Sequence, residues 1–223
     1  LDFANHHPDA IQKDIEYLCA KVAEYGFNAA FVNPYWVPIM RQEIGFTGKI
    51  GTIVAFHLGQ DSLAIKLAAA REYAGAGAGE LDIHLNVSLI KQGLWDQSLH
   101  EMKSLVDAIK SSHPQVIVKL VPETAYLTDE EVFKTAELIL QSSADFYKTN
   151  SGMGPRGASL NDVRLIKEAV GNQLKIKVAG GIREPEEAQS FINAGVSRIG
   201  TSAAPHIIGA DSTPQINYSH INE

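Results

Sequence analysis

Lys148 follows the run Ala144-Asp145-Phe146-Tyr147 and leads at once into Thr149-Asn150-Ser151-Gly152-Met153-Gly154. A lysine that closes a buried strand beside a glycine-rich turn has two chemical readings. Removing an ammonium from water is costly, so the group is either paired with a carboxylate or used as a free amine in carbonyl chemistry. Two more residues favour carbonyl chemistry. Lys177 ends another apolar run just before Val178-Ala179-Gly180-Gly181, and Asp82 lies inside a third, Leu81-Asp82-Ile83-His84-Leu85. Two lysines and one carboxylate from three strands make a candidate working site. A buried Asp82–Lys177 salt bridge is compatible with that use.

Bringing these groups to one point requires strand ends that converge. Short apolar runs alternate with amphipathic helical stretches along the chain, the pattern of a parallel sheet covered by helices. Eight runs read as strands, centred on residues 1–3, 27–32, 50–56, 80–86, 116–121, 145–148, 174–178 and 198–200. Helical stripes lie between them, such as Leu99, Met102, Val106, Ile109 and Leu160, Val163, Ile166, Ala169. Thr128-Asp129-Glu130-Glu131 and Arg183-Glu184-Pro185-Glu186-Glu187 carry the cap, early acids or early proline that begin helices. The stretch from Ala74 to Gly79 reads as a helix end turning into a strand, with no phosphate role. An open doubly wound sheet also fits the alternation. Polar candidates spread over many strands favour an α/β fold closed as a single-domain (β/α)8 TIM barrel, whose chemistry gathers at the C-terminal strand ends. The expected division is a barrel over 1–208 and a polar, weakly patterned tail over 209–223.

Composition narrows the partners. The chain has 223 residues, 45% hydrophobic and 20% charged, enough for one large core. A net charge of −7 provides no basic face for nucleic acid, and no apolar run is long enough to cross a bilayer. The expectation is a cytoplasmic protein with a small-molecule partner. The single cysteine, Cys19, lies on the helical stripe Ile11, Ile15, Leu18, Cys19, Val22 and reads as a buried, inert thiol. No signal peptide is visible, and because the chain opens on Leu1 some sequence is expected to precede it. His6, His7, His57, His84, His100, His113, His206 and His220 lack metal-ligand spacing with cysteines or carboxylates, so no metal is expected. His84 shares strand parity with Asp82 and is expected to make a structural hydrogen bond inside the barrel.

Several ordered motifs resemble the deoxyribose-phosphate aldolase family over nearly the whole chain. They are Asp145-Phe146-Tyr147-Lys148-Thr149-Asn150-Ser151-Gly152 and Lys177-Val178-Ala179-Gly180-Gly181-Ile182-Arg183, with Val32-Asn33-Pro34, Glu80-Leu81-Asp82 and Asn86. Lys119 to Glu123, Leu127-Thr128 and Arg198-Ile199-Gly200-Thr201-Ser202 complete the set. The resemblance implies a class I aldolase that joins acetaldehyde to glyceraldehyde 3-phosphate, reversibly and without a metal or other cofactor. It leaves a homodimer open.

Carried over by position, the resemblance implies that Lys148 is the Schiff-base lysine, Lys177 the second lysine and Asp82 the carboxylate of the proton relay. Gly152, Gly180, Gly181 and Ser202 match phosphate-binding positions, Lys119 a supporting electrostatic one, and Asp2 the surviving first-strand aspartate of the substrate site. A free lysine has a pKa of about 10.4, so an adjacent ammonium that disfavours a second charge is chemically useful. Arg183 either adds a bond to phosphate or pairs with Glu186 or Glu187. The first strand departs from the family, where an aspartate, a threonine and a leucine commonly alternate; here the run is Asp2-Phe3-Ala4-Asn5-His6. Asn150 replaces a small hydroxyl residue, Lys175 a frequent glycine and Phe31 a frequent cysteine. These changes bear on substrate fit rather than on amine chemistry. Some family members use a terminal tyrosine; Tyr218 is near the end but receives no such role. Two other readings of the same motifs are another class I or transaldolase-like enzyme acting on a phosphorylated sugar, and a sugar-phosphate-binding barrel without turnover.

Overall fold

The computed structural model describes residues 1–210. The strands are β1 Asp2–Asn5, β2 Ala29–Val32, β3 Ile50–Val54, β4 Glu80–His84, β5 Ile117–Val121, β6 Phe146–Lys148, β7 Lys175–Ala179 and β8 Arg198–Thr201. Each pairs in parallel with the next and β8 pairs with β1, so the sheet closes into an eight-stranded barrel. The helices outside it are α1 Gln12–Tyr25, α2 Trp36–Gln42, α3 Leu63–Gly75, α4 Val87–Lys91, α5 Trp95–Ser112, α6 Asp129–Gln141, α7 Leu160–Val170, α8 Pro185–Asn193 and α9 Ala204–Ile207.

Local sequence explains most of these boundaries. Thr128 caps α6 by accepting from the Glu131 amide while the Glu131 carboxylate accepts from the Thr128 amide, a closed reciprocal pair. The apolar stripe of α5 buries Met102, Leu105, Val106 and Ile109 against the barrel, and that of α1 buries Ile15, Leu18, Cys19 and Val22. Strand ends differ from the expected ones where side chains or backbone redirect the chain. The third strand stops at Val54 because Ala55 turns to φ 54°, and the fourth stops at His84 because Asn86 caps α4 through the Ser88 amide. The first strand runs on to Asn5 in register with Val32. Helices α2, α4 and α9 have 7, 5 and 4 residues, too short to leave a periodic stripe in the sequence. The tail expected over 209–223 falls mostly beyond residue 210, and Tyr218 lies outside the described residues.

Register decides what meets inside. Asp82 lies opposite Lys119 across β4 and β5, and Lys148 opposite Lys177 across β6 and β7. Phe31 faces Gly51 on β3, where a Cβ would stand 2.2 Å from the Phe31 ring. Glycine at 51 therefore makes the room that a large ring at 31 needs. Gly200 does the same for Lys177, whose Cε would lie 2.9 Å from an added Cβ.

Candidate active site

Buried charge, rather than layers of aliphatic side chains, fills the middle of the barrel. Arg198 donates to Asp2 Oδ1 at 2.8 Å and lies 3.3 Å from both Glu80 oxygens. Lys119 bridges Glu80 and Asp82, with its Nζ 3.0 Å from Asp82 Oδ1. Lys177 reaches Asp2 Oδ2 at 2.8 Å and Asp82 Oδ2 at 2.9 Å. Lys148 reaches only one carboxylate oxygen, the same Asp82 Oδ2, at 2.9 Å. Thus four interior cations share three carboxylates, with the more exposed Lys49 also 3.2 Å from Glu80, so cations outnumber carboxylates here.

Those contacts bias the two lysines in opposite directions. Burial disfavours charge on Lys177, but Asp2 and Asp82 outweigh it and hold its pKa above the ordinary lysine value. Burial likewise disfavours charge on Lys148; Asp82 alone opposes it, the Lys177 ammonium adds to it, and the pKa falls below the ordinary value. Burial would push the Asp82 carboxyl up, yet Lys119, Lys148 and Lys177 keep it well below the usual carboxylate range. Asp2 is likewise opposed by burial but drawn down to about 2 by Lys177, Lys119 and Arg198. The Phe31 ring lies beneath the network, 3.6 Å from Lys177 Nζ and 4.7 Å from Lys119 Nζ, and offers both cations its negative face.

Lys148, Lys177, Asp82 and Asp2 form part of the wall of a cavity of about 570 Å³, together with Ala4, His6 and Phe31. Gly152, Gly180, Gly181, Ser202 and Arg183 line the same cavity. Gly180 has φ 95° and packs so closely on the neighbouring loop that a Cβ would lie 3.1 Å from Gly152 Cα. At Gly157 a Cβ would meet the Gly180 carbonyl oxygen at 2.5 Å. Backbone approaches this cavity without side chains in the way, the condition under which amides can hold an anion.

The chain as a whole is similar to known proteins. The DeoC/LacD family aldolase pattern matches residues 2–210. The chain belongs to this aldolase family. Among its relatives, a deoxyribose-phosphate aldolase of Caldanaerobacter subterraneus subsp. tengcongensis is 39% identical over 209 residues, covering 93% of this chain and 90% of the relative. One from Carboxydothermus hydrogenoformans is 40% identical over 200 residues, covering 89% and 88%. Among solved structures, an aldolase called QR15 superposes with a TM-score of 0.84 at 36% identity, covering 93% of this chain and 96% of that one. A deoxyribose phosphate aldolase from Aeropyrum pernix, described as tetrameric, gives a TM-score of 0.85 at 27% identity, covering 94% and 88%.

Within this aldolase the residues singled out in the sequence fall in two layers. Lys148, Lys177, Asp82 and Asp2 line the cavity, as do Gly152, Gly180, Gly181 and Ser202. Lys119 is fully buried beneath them and is not among the cavity-lining residues, so it acts on the site through Asp82 and Glu80 rather than by touching a substrate. His84 departs from its expected role: it is buried, yet neither ring nitrogen has a hydrogen-bond partner among the described residues. Arg183 donates its backbone N–H to Glu187 at 2.9 Å, while no ion pair joins its guanidinium to Glu186 or Glu187 among the described residues. Glu80 and Arg198 stood in the family-like motifs but received no role; the parity of Glu80 with Asp82 was the available signal for its place in the network. Arg156 left no signal at all. It donates to Asp162 at 2.7 and 2.9 Å and to the Thr124 carbonyl at 2.8 Å, clasping the loop that carries Gly152 and Gly157. Among the described residues no group of three or more His, Cys, Asp or Glu is placed to hold a metal ion.

Proposed function

We propose that this aldolase cleaves 2-deoxyribose 5-phosphate reversibly to acetaldehyde and glyceraldehyde 3-phosphate through an imine on Lys148. The observation that carries this reading is that Lys148 shares its one carboxylate oxygen with Lys177, which has a second carboxylate of its own, in a barrel where cations outnumber carboxylates. In the synthetic direction the neutral Lys148 amine adds to the carbonyl carbon of acetaldehyde, and loss of water gives the protonated imine. That nitrogen withdraws electrons, so the adjacent methyl group gives up a proton and becomes an enamine. Asp82 is the base at hand, and Lys177, charged and hydrogen-bonded to the same oxygen, stabilises the carboxylate and carries protons onward. Such acid–base steps contribute on the order of 10²–10⁴ in rate. The enamine carbon attacks the aldehyde of glyceraldehyde 3-phosphate, the new alkoxide takes a proton, and water releases the sugar from Lys148.

Phosphate binding is assigned to the amides around Gly152, Gly180, Gly181 and Ser202 with Arg183 at the rim, all lining the cavity that holds Lys148. No helix among the described residues is long and apolar enough to cross a membrane. Cytoplasmic dissolved aldehydes and sugar phosphates are therefore the proposed partners, and association of identical chains, as in the tetrameric relative, the proposed assembly. The unit proposed to carry the activity is the barrel over 1–208, with 209–223 as an appended tail. The direct test is to supply deoxyribose 5-phosphate and measure acetaldehyde and glyceraldehyde 3-phosphate release, beside a ketose bisphosphate as the competing substrate. Cleavage of the deoxysugar in equal molar yields supports the assignment; preference for the ketose overturns it.

A further inference from the structure

The charged side chains that meet beside Lys148 close into a ring. Glu80 contacts Lys119, Lys119 contacts Asp82, Asp82 contacts Lys177, Lys177 contacts Asp2, Asp2 contacts Arg198, and Arg198 returns to Glu80. Acid and base alternate at every step. Asn28 braces the arc opposite Asp82, donating to Asp2 at 2.8 Å and to Glu80 at 3.0 Å. Two lysines attach to the ring from outside it: Lys148 at Asp82, and Lys49, with its side chain 40% exposed, at Glu80. The aldol steps above use Lys148, Asp82 and Lys177 and leave Glu80 and Lys119 without a step.

Glu80, Lys119 and Asp82 are fully buried, and neither Glu80 nor Lys119 is among the cavity-lining residues. The centroid of the Phe146 ring lies 5.8 Å from Lys119 Nζ and 5.5 Å from the Arg198 guanidinium carbon, and the Phe31 ring flanks Lys119 and Lys177. Charges enclosed in this way are weakly screened and act on one another around the ring. The groups that face Lys148 are Asp82 of β4, Lys177 of β7, Lys119 of β5 and the imidazoles of His6 and His84, which burial keeps neutral. Asp82 favours the ammonium form of Lys148, whereas Lys177 and Lys119 disfavour it. Glu80 precedes Asp82 by two residues on the same face of β4, roughly 6.6 Å along the strand, and offsets the charge of Lys119.

We propose that Glu80 and Lys119 are positioning residues of the aldol reaction: Lys119 adds positive charge at Asp82, Glu80 offsets part of it, and the balance fixes how readily Lys148 yields its proton and how strongly Asp82 draws one. The two demands conflict. Forming the imine needs a neutral Lys148, which surplus positive charge promotes. Removing the methyl proton of the imine needs a basic Asp82, which the same charge weakens. With Lys119 alone the carboxylate would be a poor base, and with Glu80 alone the amine would hold its proton to higher pH. The inference rests on Lys148 as the imine lysine and Asp82 as its base, and it adds no covalent step.

Incubation with acetaldehyde and cyanoborohydride across a range of pH, with the label on Lys148 quantified by peptide mapping, gives the pH of half-maximal imine trapping. Glu80→Gln should lower that midpoint and Lys119→Met should raise it, each by roughly one pH unit, and the double variant should return it close to the parent's. Exchange of the acetaldehyde methyl protons into deuterated water, read above each midpoint, should slow in Glu80→Gln because Asp82 has become a weaker base. Structural damage alone lowers the yield of label without moving the midpoints in opposite directions. If one single variant fails to fold, the direction of the other's shift decides. Midpoints that match the parent's, that move the same way in both single variants, or an exchange that does not slow, overturn this inference alone. Absence of label on Lys148 in the parent removes the imine reading and this inference with it.

Discussion

Lys148 and Lys177 each place Nζ 2.9 Å from the same atom, Asp82 Oδ2. Lys177 has Asp2 as a second partner at 2.8 Å, and Lys148 has none. One carboxylate thus divides its influence between two amines whose remaining surroundings push them apart: the pKa of Lys177 is held above the ordinary lysine value, and the Lys177 charge helps burial bring that of Lys148 below it. Pairs of groups driven to opposite protonation states by their environments are how a single fold obtains both an acid and a nucleophile at neutral pH.

Replacing Lys177 with Met removes the cation beside Lys148 and leaves Asp82 Oδ2 to Lys148 alone. Both changes favour the ammonium form, so the pKa of Lys148 rises and the limb of the activity profile controlled by its deprotonation moves to higher pH. Turnover at neutral pH should fall by at least about 100-fold, since a proton carrier is lost as well. A pH–rate profile of the variant checks this; an unshifted limb with near-normal turnover contradicts the two-lysine account.

Arg156 lines the cavity beside the cradle and holds the cradle's loop in place. Its guanidinium ties Asp162 of α7 and the Thr124 carbonyl to the loop whose Gly157 packs on Gly180. Arg156→Gln should raise KM for deoxyribose 5-phosphate by roughly tenfold, as an anion site held by backbone loses its alignment. Unphosphorylated deoxyribose should be affected much less. Equal losses on the two sugars would argue against this link.

Much of this architecture was legible in the sequence because strand and helix periods are local properties. The barrel was legible from apolar runs that defined its strands, with Lys148 at the end of β6, Lys177 and Asp82 within β7 and β4, and the glycine turns just after strands. Contacts made across the barrel were not legible. Nothing local ties Arg198 to Asp2 or Glu80, or Phe31 to Gly51, because these pairs depend on register and closure. Phe31 stood out as a departure at the cysteine position, but its place beneath Lys177 emerged only with the fold. His84 was read as a hydrogen-bonded core residue because parity fixes the face of a strand and not the partners across it.

Phe31→Cys tests tolerance to acetaldehyde. Two acetaldehyde molecules can condense and lose water to an unsaturated aldehyde that a thiolate captures by conjugate addition. The sole native thiol, Cys19, is buried on α1 and burial pushes its pKa up to about 11, so it is almost wholly protonated and shielded at neutral pH. The parent should keep its activity through long incubation in concentrated acetaldehyde while Phe31→Cys loses it and gains the adduct mass. Equal loss with the adduct on Cys19 contradicts the shielding of that thiol.

The buried rings of His6 and His84 predict a pH dependence of stability. The folded-state pKa of His6 is lowered from 6.5 to about 3, and that of His84 is also depressed. The unfolded chain therefore binds protons that the folded chain refuses as pH falls below 6.5, and stability declines until the folded-state values are reached. For one such group the slope is at most ~1.4 kcal/mol per pH unit. Urea unfolding at pH 7, 6, 5 and 4 should show a shallower decline for the His6→Leu, His84→Val double variant than for the parent. Parallel curves would show that these rings are charged in the folded protein.

The most direct measurement on the central claim is to incubate the protein with acetaldehyde and borohydride and map the modified peptide. Reduction of the imine leaves one ethyl group on the lysine that formed it. The contacts of the two lysines predict that label on Lys148, lost in Lys148→Leu and retained in Lys177→Met at elevated pH. A label on Lys177 with Lys148 unmodified would contradict the assignment of the neutral amine.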